Sequence, residues 1–325
     1  MPRKVIIDVD TGLDDAVALL LAIRSSELDV RGITCVNGNV DLINVIANTL
    51  RVVDYSGKDI PVYSGASTAM IAEESEDAAH VHGRDGLGGI PFTKSKRSIE
   101  KEHAVDFIVN TFMEADEPMD WITLGPLTNA ALAYLKEPRI AEKIRLLTMM
   151  AGGVDSGNTT PAAEFNVFAD PEAARIILSS NIHKLMVPLD PLFAGGHLSR
   201  ENVEKIINAS HLPWCEMAGK IFSCNVQMVE KLGVKREIGQ GAVSPPDLLA
   251  VAVAINPAIA NIKEFWVEVE TKGEFSRGMT IFDRRKIWRA KNIPQNKKAD
   301  VALSVDQKKY SEMVLGTWLG PEKSL

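Results

Sequence analysis

Cysteine is scarce in this chain: three residues, Cys35, Cys215 and Cys224, in a length of 325. They are odd in number and widely separated, so they build neither a disulfide framework nor a thiolate zinc pair, and a reducing cytoplasm is the expected setting. Cys35 falls in an apolar run, where a thiol serves as packing. No apolar stretch reaches membrane-spanning length without charge. The first hydrophobic run is interrupted by aspartates, so no signal peptide is expected. Long basic runs are missing too. Lys and Arg number 36 against 43 Asp and Glu, a net charge of −7, and the basic pieces are as short as Lys94-Ser95-Lys96-Arg97. Nucleic acid and anionic membranes are therefore not expected partners. No linker, repeat or low-complexity tract divides the chain, and residues 1–325 are expected to form a single domain.

Acid is what the chain has in concentrated form. Asp8, Asp10, Asp14 and Asp15 fall within eight residues, in the run Val5-Ile6-Ile7-Asp8-Val9-Asp10-Thr11-Gly12-Leu13-Asp14-Asp15. An apolar strand leads in and the helix-favouring segment Ala16–Ile23 leads out, with a glycine-containing turn between. The acids thus gather at the carboxyl end of a strand, where open α/β sheets place their ligand crevices. Any one of them has an ordinary alternative use: Asp14 and Asp15 can cap a helix, and Asp8 can end a strand. Together they repel and raise one another's pKa values unless a positive charge sits among them. A hard cation held by carboxylate oxygens satisfies that need.

Strand-like and helix-like segments alternate over the first two-thirds. Strands are expected over residues 4–8, 30–36, 120–124, 144–149 and 184–188, and helices over 14–25, 41–56, 101–115, 127–136, 170–180 and 199–209. Helices are also expected over 213–232, from Asp247, and over 306–319, with later strands within 264–282 and 299–305. The fold class that follows is α/β: a mainly parallel central sheet flanked by helices, with a Rossmann-type core.

Five loops carry chemistry. The aspartate run is the first. Asn37-Gly38-Asn39 follows a strand and on its own reads as a turn. His80-Val81-His82-Gly83-Arg84-Asp85-Gly86-Leu87-Gly88-Gly89 pairs two histidines with enough glycine for a mobile flap over a pocket. Gly157-Asn158-Thr159-Thr160-Pro161-Ala162-Ala163-Glu164-Phe165-Asn166 offers carboxamides, a carboxylate and an aromatic, a set suited to the hydroxyls of a sugar. Ser244-Pro245-Pro246-Asp247 places an acid where it either caps a helix or completes a site.

In combination these motifs resemble the inosine-uridine-preferring nucleoside hydrolases. The resemblance rests on Asp8-x-Asp10-x-Gly12-x-Asp14-Asp15, His82-Gly83, Gly125-Pro126-Leu127-Thr128-Asn129 and Ala163-Glu164-Phe165-Asn166. It extends to Arg277-Gly278-Met279-Thr280 and Asp283-Arg284-Arg285, and so runs from residue 4 to about 305. It implies hydrolysis of the N-glycosidic bond of ribonucleosides, with a calcium ion bound by Asp10, Asp15, the backbone carbonyl of Leu124, and Asp247. It further implies that Asp14, Asn39, Asn158, Glu164 and Asn166 hold the ribose, that Met150 and Phe165 pack on the sugar face, and that His82 lies near the leaving base. Asp8 is expected to order the site from behind. A ribonucleoside substrate and a homodimer or homotetramer are implied as well.

At one position the chain departs from that pattern. Many family members carry a histidine just before the last metal-binding aspartate, and this chain has Pro246. The segment Leu189-Asp190-Pro191-Leu192-Phe193 also differs from commoner versions. Cleavage builds positive charge on the ribose, so the protein needs an oriented water, a negative surround and help for the departing base. Asp10 is the expected general base on a metal-held water, because calcium acidifies water less than zinc does. His82, or Trp214 and its neighbours in 213–232, are the candidates to assist the base, with His82 favoured. Two other readings compete. Asp8-x-Asp10 resembles the nucleophile motif of haloacid-dehalogenase-type magnesium phosphatases, but Gly12 stands where that motif expects Thr or Val. A non-catalytic nucleoside-binding homologue is the second.

Overall fold

A nine-stranded sheet crosses the computed structural model, which describes residues 1–71, 77–231, 239–285 and 297–320. In chain order the strands are β1 Arg3–Val9, β2 Leu28–Cys35, β3 Val62–Ser64, β4 Met119–Thr123 and β5 Ile144–Met150, then β6 Lys184–Val187, β7 Ala260–Val269, β8 Thr280–Phe282 and β9 Lys298–Val305. Their spatial order is β3-β2-β1-β4-β5-β6-β9-β7-β8. The first six and β9 run parallel, and β7 is antiparallel to both β9 and β8. The expected α/β architecture is present. Its strand and helix limits differ from the expected ones by a few residues. The 264–282 segment resolves into two strands joined by a turn, and the short edge strand β3 was not anticipated.

Central position explains the composition of β1. Val5 through Val9 are all buried, as a parallel strand covered on both faces requires. Asp8 is included, and it pairs in register with Thr34 of β2 and Thr123 of β4. From β1 the chain steps outward through β2 to β3, then crosses back to lay β4 on the other side of β1. The carboxyl ends of β1 and β4 therefore flank a topological switch point, the place where such sheets open a crevice.

Two helices deliver their first turns to that crevice. Helix Leu13–Arg24 follows β1 and is buried along almost its whole length. Helix Pro246–Ile255 is buried from Asp247 to Ala254 and packs against it. Pro246 occupies the first turn, where a missing amide hydrogen costs nothing. Apolar side chains on all sides hold both helices in the core, so their acidic first turns are fixed relative to each other.

Candidate active site

The aspartates converge as the turn after β1 predicts. Asp10 and Asp15 are fully buried, Asp247 nearly so, and Asp14 is half-buried. Carboxylate oxygens of Asp14, Asp15 and Asp247 lie within 4.8 Å of one another. Asp15 Oδ2 accepts the Gly12 amide at 2.9 Å, and its Oδ1 accepts the Asp10 amide at 3.2 Å, which ties the turn to the helix start. Asp10 Oδ2 accepts the Asn39 amide at 2.8 Å, and the Asn39 side chain donates to Asp15 Oδ2 at 3.1 Å. Asn37-Gly38-Asn39 is thus a turn that delivers Asn39 onto the acids.

Among the described residues, Asp10 Oδ1 and Asp14 Oδ1 are buried and receive no hydrogen bond. Burial first, and then the neighbouring aspartates, push Asp10 and Asp247 well above the usual carboxylate range. Asp14 and Asp15 rise to about 6, again mainly through burial. No lysine or arginine lines the pocket above them among the described residues. Closely packed carboxylates with spare oxygens and no cation in reach form a donor set for a hard metal ion.

Asp8 stands one layer below. Its carboxylate accepts the Thr34 hydroxyl and the Asn129 amide, the latter at 2.8 Å, and burial raises its pKa to about 7. Asn129 also donates to the Cys35 carbonyl at 3.0 Å and accepts the Ala66 amide at 2.9 Å. Asp8 bonds Thr34 and Asn129 and is not among the residues that line the pocket. Asn129 was part of a recognised motif, yet its bracing of Asp8 was not foreseen.

Glu164 and Asn166 reach the floor from the opposite wall. Glu164 Oε2 accepts the amides of Gly152 and Val167 at 2.8 and 3.2 Å, and Oε1 accepts that of Asn166 at 2.8 Å. It therefore caps the short helix Phe165–Ala169 while lining the pocket. Burial lifts its pKa to about 7 against the pull of those amides. The Asn166 amide nitrogen donates to the carbonyls of Leu124 and Met150 at 2.6 and 3.0 Å. Asn158 is exposed, and its side-chain oxygen accepts the Phe165 amide at 2.9 Å. Thr280 locks this wall from outside, donating to the Gly153 carbonyl at 2.9 Å and accepting its amide at 3.1 Å.

His82 packs against the floor. Its Nδ1 accepts the Leu13 amide at 3.0 Å and lies 3.7 Å from Asp14 Oδ1. Burial lowers its pKa to about 4, so the ring is neutral with its proton on Nε2. Trp214 lies elsewhere: its indole donates to the Trp318 carbonyl at 3.0 Å beneath the Arg24 guanidinium, so it is core packing and no part of the pocket. Other residues of helix Pro213–Lys231 do line the pocket, namely Ile221, Phe222, Asn225 and Met228, whose spacing puts them on one face.

Above the floor opens a pocket of about 810 Å³. Asp14, Asn39, Met150, Glu164, Phe165, Asn166 and Asp247 form its inner end. His80, Val81, Phe193, Phe222 and Met228 stand among its other walls, and Phe193 is 72% exposed. The neighbours of Trp214 in 213–232 were candidates to meet the base, and Ile221, Phe222, Asn225 and Met228 of that region do line the pocket. Phe193 was given no place in it, because an apolar residue in a helix or loop reads first as core.

Comparison with known proteins assigns the class. A family model described as inosine-uridine preferring nucleoside hydrolase matches residues 5–312. The inosine-uridine preferring nucleoside hydrolase of Leishmania major is 33% identical over 321 residues, covering 97% of each chain. Pyrimidine-specific ribonucleoside hydrolase RihB of Escherichia coli (strain SE11) is 32% identical over 304 residues, 94% of each chain. Among solved structures, the plant nucleoside hydrolase PpNRh1 matches with a TM-score of 0.88 at 28% identity, covering 99% of this chain and 100% of that one. The fold is that of the ribonucleoside hydrolases, which are N-glycosyl hydrolases. The chain belongs to the inosine-uridine preferring nucleoside hydrolase family.

Proposed function

We propose that the protein hydrolyses the N-glycosidic bond of ribonucleosides in a calcium-dependent reaction. The observation that carries this reading is the buried carboxylate floor, with two unbonded oxygens, beneath a pocket walled by Asn39, Asn158, Glu164 and Asn166. Asp10, Asp15, Asp247 and the Leu124 carbonyl would hold the ion; all are oxygen donors, the set calcium prefers. When bound, the cation supplies charge compensation and orients a water and the ribose diol over the floor.

The remaining work falls to the chain's own residues. Asp14, Asn39, Asn158, Glu164 and Asn166 grip ribose hydroxyls, and Met150 and Phe165 pack on the sugar face. Asp10 takes the water proton through Oδ1, the oxygen that accepts no other hydrogen bond. Asp14 and Glu164 face the ribose as positive charge develops on its ring, which favours the oxocarbenium-like state. His82, held neutral by the Leu13 contact, offers its Nε2–H to the substrate as a hydrogen-bond donor. The absence of a side-chain acid at Pro246 leaves the base preference to other walls of the pocket. Three free thiols suit a reducing cytoplasm. Exposed Phe275, Met279 and Ile281 suit burial in a homodimer or homotetramer.

Assay of reducing sugar released from a panel of ribonucleosides, with and without chelator, tests the reading. Ribose release that is lost on chelation and restored by calcium is the expected result. Binding of nucleoside without release would favour a non-catalytic homologue, and phosphate release from phosphomonoesters would favour the phosphatase reading.

A further inference from the structure

We propose that His80 is the acid that protonates the departing base. The inference rests on the hydrolase reading above and addresses what stands in for the missing acid at Pro246. Among the described residues that line the pocket, the side chains able to carry an exchangeable proton as acids are Asp14, Asp77, His80, His82, Glu164 and Asp247. Asp14 and Asp247 belong to the carboxylate cluster at the floor. Glu164 is buried, ties its two oxygens to three backbone amides and is the residue assigned above to the ribose, so it is not placed at the base.

His82 is excluded by the geometry of its hydrogen bond. A histidine can act as a general acid only from the imidazolium form, in which both ring nitrogens carry protons. Nδ1 of His82 accepts the Leu13 amide, so a proton there would confront an N–H donor at 3.0 Å. Asp77 is exposed, and its Oδ1 is engaged as acceptor of the Ala79 amide at 3.1 Å, at the start of the short helix.

His80 has none of these ties. It sits two residues before His82 on the short helix Ala79–His82, exposed to solvent, while His82 is buried against Asp14. The loop that follows packs on helix Pro213–Lys231: the Cys224 thiol lies 4.0 Å from the Gly88 carbonyl. Ile221, Phe222, Asn225 and Met228 of that helix line the same pocket. With ribose on the acidic floor, the base extends toward this outer part, where His80 stands. As the C1′–N bond breaks, its electron pair passes to the base. The His80 imidazolium donates a proton to a base nitrogen and becomes neutral, while water adds to C1′ and its proton goes to Asp10. Solvent, open to His80, then restores both groups.

The test compares His80→Gln and His80→Ala in the full chain with calcium present, using inosine, uridine and 4-nitrophenyl riboside, whose leaving group needs no proton. We expect kcat/KM on inosine or uridine to fall about 100-fold or more, in the range for loss of a general acid, and on the nitrophenyl riboside at least tenfold less. Added imidazole should restore part of the His80→Ala loss on the natural substrates, with thermal melts matching the parent. Equal loss on natural and activated substrates overturns the proposal, as does a loss below about threefold on both nucleosides. Selective loss in Asp77→Asn without loss in His80→Gln transfers the role to Asp77 and also overturns it. A parent protein that releases ribose from none of the three sinks the hydrolase reading itself, a result separable from failure at His80 alone.

Discussion

A Cβ on Gly125 would stand 2.7 Å from Asp10 Oδ1, the carboxylate oxygen that accepts no hydrogen bond. Gly38 closes on the other oxygen, Oδ2, even more tightly. The proposed general base is therefore held between two backbone segments that only glycine allows so near. Gly125→Ala should displace Asp10 and reduce kcat by at least tenfold, because a misplacement well under 1 Å is felt in a preorganised site. Steady-state assay with a melting curve checks this. Full activity in the variant would mean that Asp10 tolerates displacement and is not the base.

Removing the acids themselves separates floor from support. Asp10→Asn and Asp15→Asn should each abolish turnover and lower metal content, since each deletes a charge that the cation needs. Asp8→Asn should retain at least a tenth of the activity, because Asp8 bonds Thr34 and Asn129 rather than the pocket. Elemental analysis alongside kinetics distinguishes them. Full turnover in a metal-free preparation would end the calcium model.

Most of this architecture was readable from local pattern. The buried run before Asp8, the helix after Asp15 and the alternation that follows suffice for a parallel sheet with its crevice beyond β1. The floor was readable because Asp10, Asp14 and Asp15 are neighbours in sequence. What joins them from afar was less legible. Asn129 braces Asp8 across 121 positions, and nothing in its local surroundings announces that role. Glu164 was expected to hold sugar, yet its hydrogen bonds also make it a helix cap, a double duty that residue type alone does not show. Trp214 and Phe222 lie eight positions apart on one helix, and only packing decides that the first is core and the second lines the pocket.

That double duty changes how Glu164 must be tested. Glu164→Ala should weaken transition-state binding by about 2–4 kcal/mol, as for loss of a charged buried hydrogen bond. It should also cost about 1 kcal/mol of stability through the lost cap. Glu164→Gln keeps one oxygen for the amides, so its melting point should fall less while its activity still drops. If Glu164→Gln cleaves ribosides at the parental kcat/KM, the carboxylate is a structural cap and holds no ribose.

Phe193 offers a change that should alter binding without altering stability. Its ring is 72% exposed beside the pocket. Its backbone is fixed nearby: the Ala194 carbonyl accepts the Val305 amide at 2.8 Å, and the Ser244 hydroxyl donates to the Gly196 carbonyl at 3.0 Å. An aromatic face on a rigid support is suited to cover a base, and such stacking is worth about 1–3 kcal/mol. Phe193→Ala should raise KM for nucleosides by at least about fivefold with an unchanged melting point. No change in KM across purine and pyrimidine nucleosides would remove Phe193 from the base site.

Metal and pH should act on stability through the same carboxylates. In the metal-free protein, burial raises Asp8 and Glu164 to about 7 and Asp10 and Asp247 well above their usual range. The folded chain then binds more protons than the unfolded one over that interval, so stability must fall as pH rises through it. His82 has the opposite sign. Its pKa is lowered from 6.5 to about 4, so its cost appears as pH falls between those values. Above about pH 6.5 His82 no longer contributes, and the raised carboxylates should make the metal-free melting point decline toward about pH 8, where the lowered pKa of buried Lys184, about 8, begins to act with the opposite sign. A cation that compensates the acids binds best when they are ionised, so the calcium-induced rise in melting point should grow over the same interval. Thermal melts in chelator and in calcium at several pH values measure both slopes. A calcium increment that stays flat with pH would show that the ion does not engage these carboxylates.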